Sequence, residues 1–170
     1  MTVNADLAPS LYETDFYAWS QSQARRLRAL RTDARELPDD LDLETIAEEI
    51  EDLGKAELHA AESFIRTILV HLVKALSDPD SSALPHWRTE VTTFHVDLLR
   101  RYTASMRRLI DMEKEWKAAL RISRDALREN GRQLNPALPN TCPLELADLV
   151  SEDFDFDAGV VKVRQRLSGV

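Results

Sequence analysis

Residues Asp42–Ser77 read DLETIAEEIEDLGKAELHAAESFIRTILVHLVKALS, and their periodicity decides the fold class. Ile46, Ile50, Leu53, Ala61, Ile65, Ile68, Leu72 and Leu76 recur mostly at three- and four-residue steps, which collects them on one face of an α-helix. Asp42 suits the N-cap, and Glu44, Glu48 and Glu49 follow where the positive end of the helix dipole favours acids. A helix of this length extends about 54 Å at 1.5 Å per residue. Gly54 is the expected place for a bend, because glycine costs about 1 kcal/mol relative to alanine inside a helix. Asp78-Pro79-Asp80-Ser81-Ser82 then reads as a turn.

Working outward, the chain towards the N-terminus carries a helix from about Glu13 to Arg31, entered through Pro9 and a Ser10–Glu13 capping box. Tyr12, Phe16, Trp19, Leu27 and Leu30 form its apolar face, and it ends before Pro38. Downstream, Pro85 suits a first helical turn. From Trp87 an apolar seam through Val91, Phe94, Leu98, Tyr102, Leu109, Met112, Trp116, Leu120 and Leu127 continues to about Asn130. No proline or glycine interrupts residues 86–130. A bend between Arg108 and Glu113 would divide this stretch into two helices, and one straight helix is the rival. Gly131 is placed to close it in the left-handed conformation. A loop punctuated by Pro136, Pro139 and Pro143 leads to a short helix over Pro143–Val150, and residues 158–167 fit either a helix or a strand. The expectation is an all-α protein, a compact bundle of four main helices plus a short C-terminal helix. Its organisation reads as a tail over 1–12, one domain over 13–154 and a tail over 155–170.

Composition narrows the chemistry. The 170 residues contain four isolated glycines and one cysteine, Cys142. Phosphate-cradling glycine loops, disulfide scaffolds and paired Cys/His zinc motifs are therefore excluded, and no cofactor is expected. The start lacks a basic and apolar leader, and the longest uncharged central run is far too short to span a bilayer, so a cytoplasmic protein with no membrane association is expected. The net charge of −8 is unevenly distributed. Asp33–Glu57, which includes Asp39, carries eleven acids and two bases, so the other residues sum to +1. Arg25, Arg26, Arg28 and Arg31 form a basic block just before the acidic run, and Arg100–Arg132 holds ten bases against five acids. The overall sign argues against nucleic acid as a partner.

Several stretches resemble a known family. LYETDFYAW at Leu11–Trp19 with QARRLR after it, DLETIAEEIEDLGKAE at Asp42–Glu57, HLVKAL at His71–Leu76, HWR around Trp87 and CPLELADLVSEDF at Cys142–Phe154 occur in the order of the bacterial family Domain of Unknown Function 29. The likeness runs from Leu11 to Phe154. Departures are Ala75 where an aromatic is usual, Leu144 in place of a common tryptophan, and no proline between Arg108 and Trp116. The resemblance implies an all-helical fold and a bacterial source, and it implies no activity.

Glu48-x-x-Glu51 matches half of the divalent-metal site of all-α nucleotide pyrophosphatases, and the Glu-x-x-Asp that completes it does not follow between Ser63 and Ser82. Di-iron Glu-x-x-His pairs are absent. Arg66 with His71, and Arg88 with His95, match the Arg–His spacing of metal-independent helical ribonucleases of HEPN type, but chance alone yields about one such pair. Of the two, Arg88 and His95 share a helical face, which makes His95 a candidate general base and Arg88 a candidate phosphate anchor. His71, on the apolar stripe, reads as a satisfied core histidine. Cys142 precedes a short helix whose dipole would lower its pKa, and it reads first as a buried hydrophobe.

The leading expectation is a non-catalytic module that binds a protein partner or forms a homo-oligomer. Its recognition surface is the acidic region, with Asp15, Asp42, Glu44, Glu48, Glu49 and Asp52 as contact residues. The alternatives are an RNA-processing enzyme using Arg88 and His95 or a metal-dependent nucleotide-handling enzyme using Glu48 and Glu51.

Overall fold

The computed structural model describes residues 10–33, 38 and 40–167. Within them the chain is helical and contains no strand. The helices are α1 (Leu11–Thr14), α2 (Phe16–Asp33), α3 (Leu43–Ser77), α4 (Leu84–Arg101), α5 (Met112–Glu129), α6 (Leu146–Leu149) and α7 (Phe156–Leu167), with a 3₁₀ turn at Ala104–Arg108. The ambiguous stretch 158–167 is thus helical. Asp39, the side chains of Arg31 and Asp33, the tip of the N-terminal tail with Pro9, and the residues just before Pro38 lie outside the described residues.

Contacts cluster into two units. The first takes the described residues up to His59 together with Thr103–Leu109. In it, the helix expected over 13–31 is interrupted at Asp15, whose backbone (φ −151°, ψ 79°) leaves the helical region. The capping contact at Ser10 is made: its N–H donates to the Glu13 carboxylate at 2.9 Å. Asp15 then caps α2, its Oδ1 accepting the Ala18 N–H. The buried side of α2 consists of small residues, Ser20 and Ala24, rather than the large apolar ones, and Tyr12 and Leu30 are exposed. On α3 the residues that face inward are Leu43, Ala47 and Gly54. A Cβ on Gly54 would stand 1.9 Å from Ser20 Oγ, so glycine serves here as the point of close approach between two helices. α3 runs through Gly54 as one helix.

The second unit takes Ala60–Tyr102 and the described residues from Ile110 onward. Here α3 is buried on most sides, with Ala61, Ile65, Ile68, Leu69, Leu72 and Val73 inaccessible to solvent. α4 contributes Trp87, Val91, His95 and Leu98, one residue per turn of its inner face. α5 contributes Trp116, Ala119, Ser123 and Leu127. Two polar groups that this core encloses are satisfied by backbone carbonyls: Trp116 Nε1 donates to Pro139 and Ser123 Oγ to Val70. Asn135 closes α3, donating from Nδ2 to the Leu76 carbonyl and from its backbone N–H to Ser77 Oγ. Gly131 ends α5 at φ 68°, as expected from its position, and the Arg132 N–H returns to the Leu127 carbonyl at 2.8 Å.

Residues 86–130 form two helices, and the break begins earlier than the expected Arg108–Glu113 and is longer, running from Tyr102 to Asp111. α4 ends at Arg101, Tyr102 is extended, and α5 starts only at Met112 with Asp111 as N-cap, accepting the Lys114 N–H. The cause is Asp15. Its carboxylate accepts the hydroxyls of Thr103 and Ser105 and the Ser105 N–H, which holds the 3₁₀ turn in place of a further helical turn.

Candidate functional site

The acidic region of α3 is only partly open. Asp42 is the N-cap, accepting the Thr45 N–H and hydroxyl. Arg28, from the basic block of α2, reaches Glu44 at 2.9 Å and Glu51 at 2.8 Å. Lys55 pairs with Glu51 and Asp52. Hydrogen bonds from Arg28 and then Lys55 hold the Glu51 carboxyl below its usual pKa. Glu51 is therefore committed within its own unit, and among the described residues no group of three or more His, Cys, Asp or Glu is arranged to hold a metal. Glu48 and Glu49 are exposed and make no ion pair among the described residues.

Two expectations about this face are corrected. Asp15 is not an open contact residue, because its carboxylate is occupied by Thr103, Ser105 and Ala18. Burial works to raise its pKa, and these hydrogen bonds outweigh it and hold the group below its usual value. The second correction concerns the core stripe. Ile46 is 37% exposed and Leu53 is 56% exposed, since α2 packs instead on the line of small residues beside them. Glu49 follows Ile46 by three residues and precedes Leu53 by four, so the three share one outward face.

The Arg–His pair is drawn into structural contacts. Arg88 forms a two-pronged ion pair with Asp157 and lies over the Phe156 ring. His95 is buried, with Nε2 3.0 Å from the Ser151 carbonyl and its ring tilted against Phe154. A carbonyl accepts, so Nε2 carries the proton and is not free to act as a base.

His71 is buried as expected but only half satisfied. Nε2 lies 3.2 Å from Glu90 Oε2, an oxygen that His86 approaches at 3.3 Å, while Nδ1 has no partner among the described residues. Burial, then the charge of Lys74, lowers its pKa to about 4, with Glu90 opposing. Cys142 lies outside α6, which begins at Leu146, so no helix dipole acts on it. Burial pushes the thiol up to about 11, and Sγ donates to the Leu144 carbonyl, which makes it a packing group rather than a nucleophile.

Sequence reasoning missed a cleft of about 730 Å³ in the second unit, lined by Arg66, Asp111, Glu113, Lys114, Glu115, Lys117, Ala118, Arg121 and Ile122. Glu115 is fully buried and its Oε2 accepts Arg66 Nε at 2.6 Å. Its Oε1 has no hydrogen-bond partner among the described residues and forms a longer ion pair with Lys114 Nζ at 3.8 Å. Lys114 Nζ is also 3.9 Å from Oε1 of the buried Glu62. The sequence signal was slight: alternating charges at the start of an amphipathic helix usually mean solvent, and only burial of Glu115 distinguishes it.

Taken together, these elements define an all-α class of protein, with helices and no strand among the described residues. The chain belongs to the family described as Domain of unknown function DUF29, whose family model matches residues 11–155. It is also similar to an alpha-helical protein of unknown function from Rhodospirillum rubrum, known from a crystal structure, at 41% identity and a TM-score of 0.87, over 91% of this chain and 98% of that one. No curated protein matches it. Among the described residues no helix is long and apolar enough to cross a membrane.

Proposed function

We propose that the chain is a non-catalytic protein-interaction module that receives a basic partner on the outward face of the first half of α3. The observation that carries this reading is the exposure of Ile46 and Leu53 beside Glu49, which has no ion pair among the described residues. Apolar anchors flanked by uncompensated charge are what a helical recognition surface presents. The occupant is a protein segment with apolar side chains bordered by lysine or arginine. Isologous pairing of two copies through this face is disfavoured, because it would set Glu49 and its acidic neighbours against themselves. A cytoplasmic location belongs to the same reading, the lone thiol fitting a reducing compartment.

The test uses the full chain to isolate a binding protein, followed by calorimetry with the purified pair. Ile46→Gln with Leu53→Gln, or Glu48→Lys with Glu49→Lys, should weaken binding by about tenfold or more at unchanged melting temperature. Binding indifferent to both pairs of substitutions would refute this surface. So would a homo-oligomer that these substitutions dissociate. RNA cleavage by the wild type that Arg88→Ala abolishes without a change in melting temperature would overturn the non-catalytic reading.

A further inference from the structure

The sequence places twice as many bases as acids over Arg100–Arg132, and the α3 recognition surface uses none of them. Two of these bases, Lys117 and Arg121, line the cleft of about 730 Å³ beside α5, and Arg66 reaches the same lining from α3. Lys117 and Arg121 are exposed, stand one helical turn apart and make no ion pair among the described residues. Arg66 is held differently. Its Nε donates at 2.6 Å to the fully buried Glu115, which fixes the guanidinium, and its two terminal nitrogens have no partner among the described residues. The remaining charges of the lining are committed to the fold. Lys114 Nζ lies between Glu115 and the buried Glu62, Asp111 caps α5, and Glu113 accepts the Cys142 N–H at 2.9 Å.

A charged stripe on an amphipathic helix is ordinarily a solvated face. Here the stripe borders a cleft within the size range of ligand sites, and one of its cations is fixed by a buried carboxylate. A guanidinium held through Nε presents its terminal N–H groups to two oxygens of a tetrahedral anion. Lys117 and Arg121 supply charge for a dianion, a state that a phosphate monoester approaches at neutral pH and a carboxylate does not. Ala118 and Ile122 give the same lining an apolar side, Ile122 being 42% exposed, where the organic group of an ester would be withdrawn from water.

We propose that this cleft binds a phosphate monoester, its phosphate on the terminal nitrogens of Arg66 and on Lys117 and Arg121, its organic group on Ala118 and Ile122. The site does not depend on the recognition surface of the first half of α3.

The test is a ¹⁵N–¹H NMR titration of the full chain at constant ionic strength with butyl phosphate, inorganic phosphate and pentanoate. Butyl phosphate should shift the amides of residues 66 and 114–122 saturably. Pentanoate, the same alkyl group on a monoanion, should bind about tenfold more weakly. Inorganic phosphate should bind about threefold more weakly than the butyl ester, and Ile122→Ser should abolish that difference. Lys117→Ala with Arg121→Ala, both exposed side chains, should weaken butyl phosphate binding about tenfold while melting temperature is unchanged. Shifts that stay unsaturated with butyl phosphate up to about 10 mM overturn the proposal, since they report charge attraction alone. Pentanoate or inorganic phosphate binding as tightly as the ester, or indifference to the double substitution, overturns it as well.

Discussion

His71 shows how a single residue can be read correctly in place and incompletely in state. Its position on the apolar stripe marks it as a core residue, and its ring does stack against Phe94. Its lowered pKa has a thermodynamic consequence. In the unfolded chain a histidine titrates near 6.5, and in the folded protein His71 holds no proton until about 4. As pH falls from about 6.5 the unfolded state takes up the proton first, so stability is lost progressively down to about 4, and this group contributes no further loss below that. Urea unfolding at pH 7, 6, 5 and 4 should therefore show a smaller decline for His71→Phe than for the wild type over that interval. Equal declines would mean that the ring is not buried as neutral imidazole. The charged neighbours are Lys74, Glu90 and His86, and none of them is visible as a neighbour from sequence spacing around His71 except Lys74. Asp15 illustrates the same limit. An aspartate in an acidic family motif reads as surface, and it becomes a structural cap through Thr103 and Ser105, 88 and 90 residues away.

At the scale of elements, helices were legible wherever three- and four-residue periodicity coincided with a stop signal. α3 ends before Asp78-Pro79, and Gly131 closes α5. Where local signals are silent, only the C-terminal end of the interruption between α4 and α5 is legible: its start at Tyr102 is accompanied by hydrogen bonds to Asp15, not by a proline or glycine. The packing of α2 on α3 also inverted the expectation. By periodicity the large apolar residues form the seam, but Ser20, Ala24, Ala47 and Gly54 bring the helices together and leave Ile46 and Leu53 outside. Gly54→Ala should therefore destabilise the protein by about 1–3 kcal/mol, the range for overpacking a tight contact. Ser20→Gly should relieve most of that cost in the double variant, because it removes the atoms nearest the added methyl. A cycle of chemical-denaturation measurements on the four proteins checks this, and additive effects would show that the two residues are not in contact.

For the whole molecule, charge was the most informative global property, and its segregation pointed to α3 before any geometry. The structure divides that acidic segment into carboxylates neutralised by Arg28 and Lys55 and carboxylates left open, which total charge cannot do. Recognition through open rim carboxylates is screened by salt. Affinity for the proposed basic partner should fall as sodium chloride rises from 50 to 500 mM, with the Debye length contracting from about 10 Å at 0.1 M to about 3 Å at 1 M. Calorimetry across that range checks it, and a salt-independent affinity would assign the energy to Ile46 and Leu53 alone.

The sequence by itself determined the helical class, the family, most helix ends and the excluded glycine-loop and cysteine chemistries, because each depends on residue types at short separation. Tertiary structure alone decided which face of α3 is covered, where the chain breaks after α4, that Asp15 is a cap, and that Arg66 and Glu115 meet 49 residues apart. Those outcomes depend on which partners arrive from distant segments to satisfy or bury a side chain, and periodicity along one helix holds no record of them.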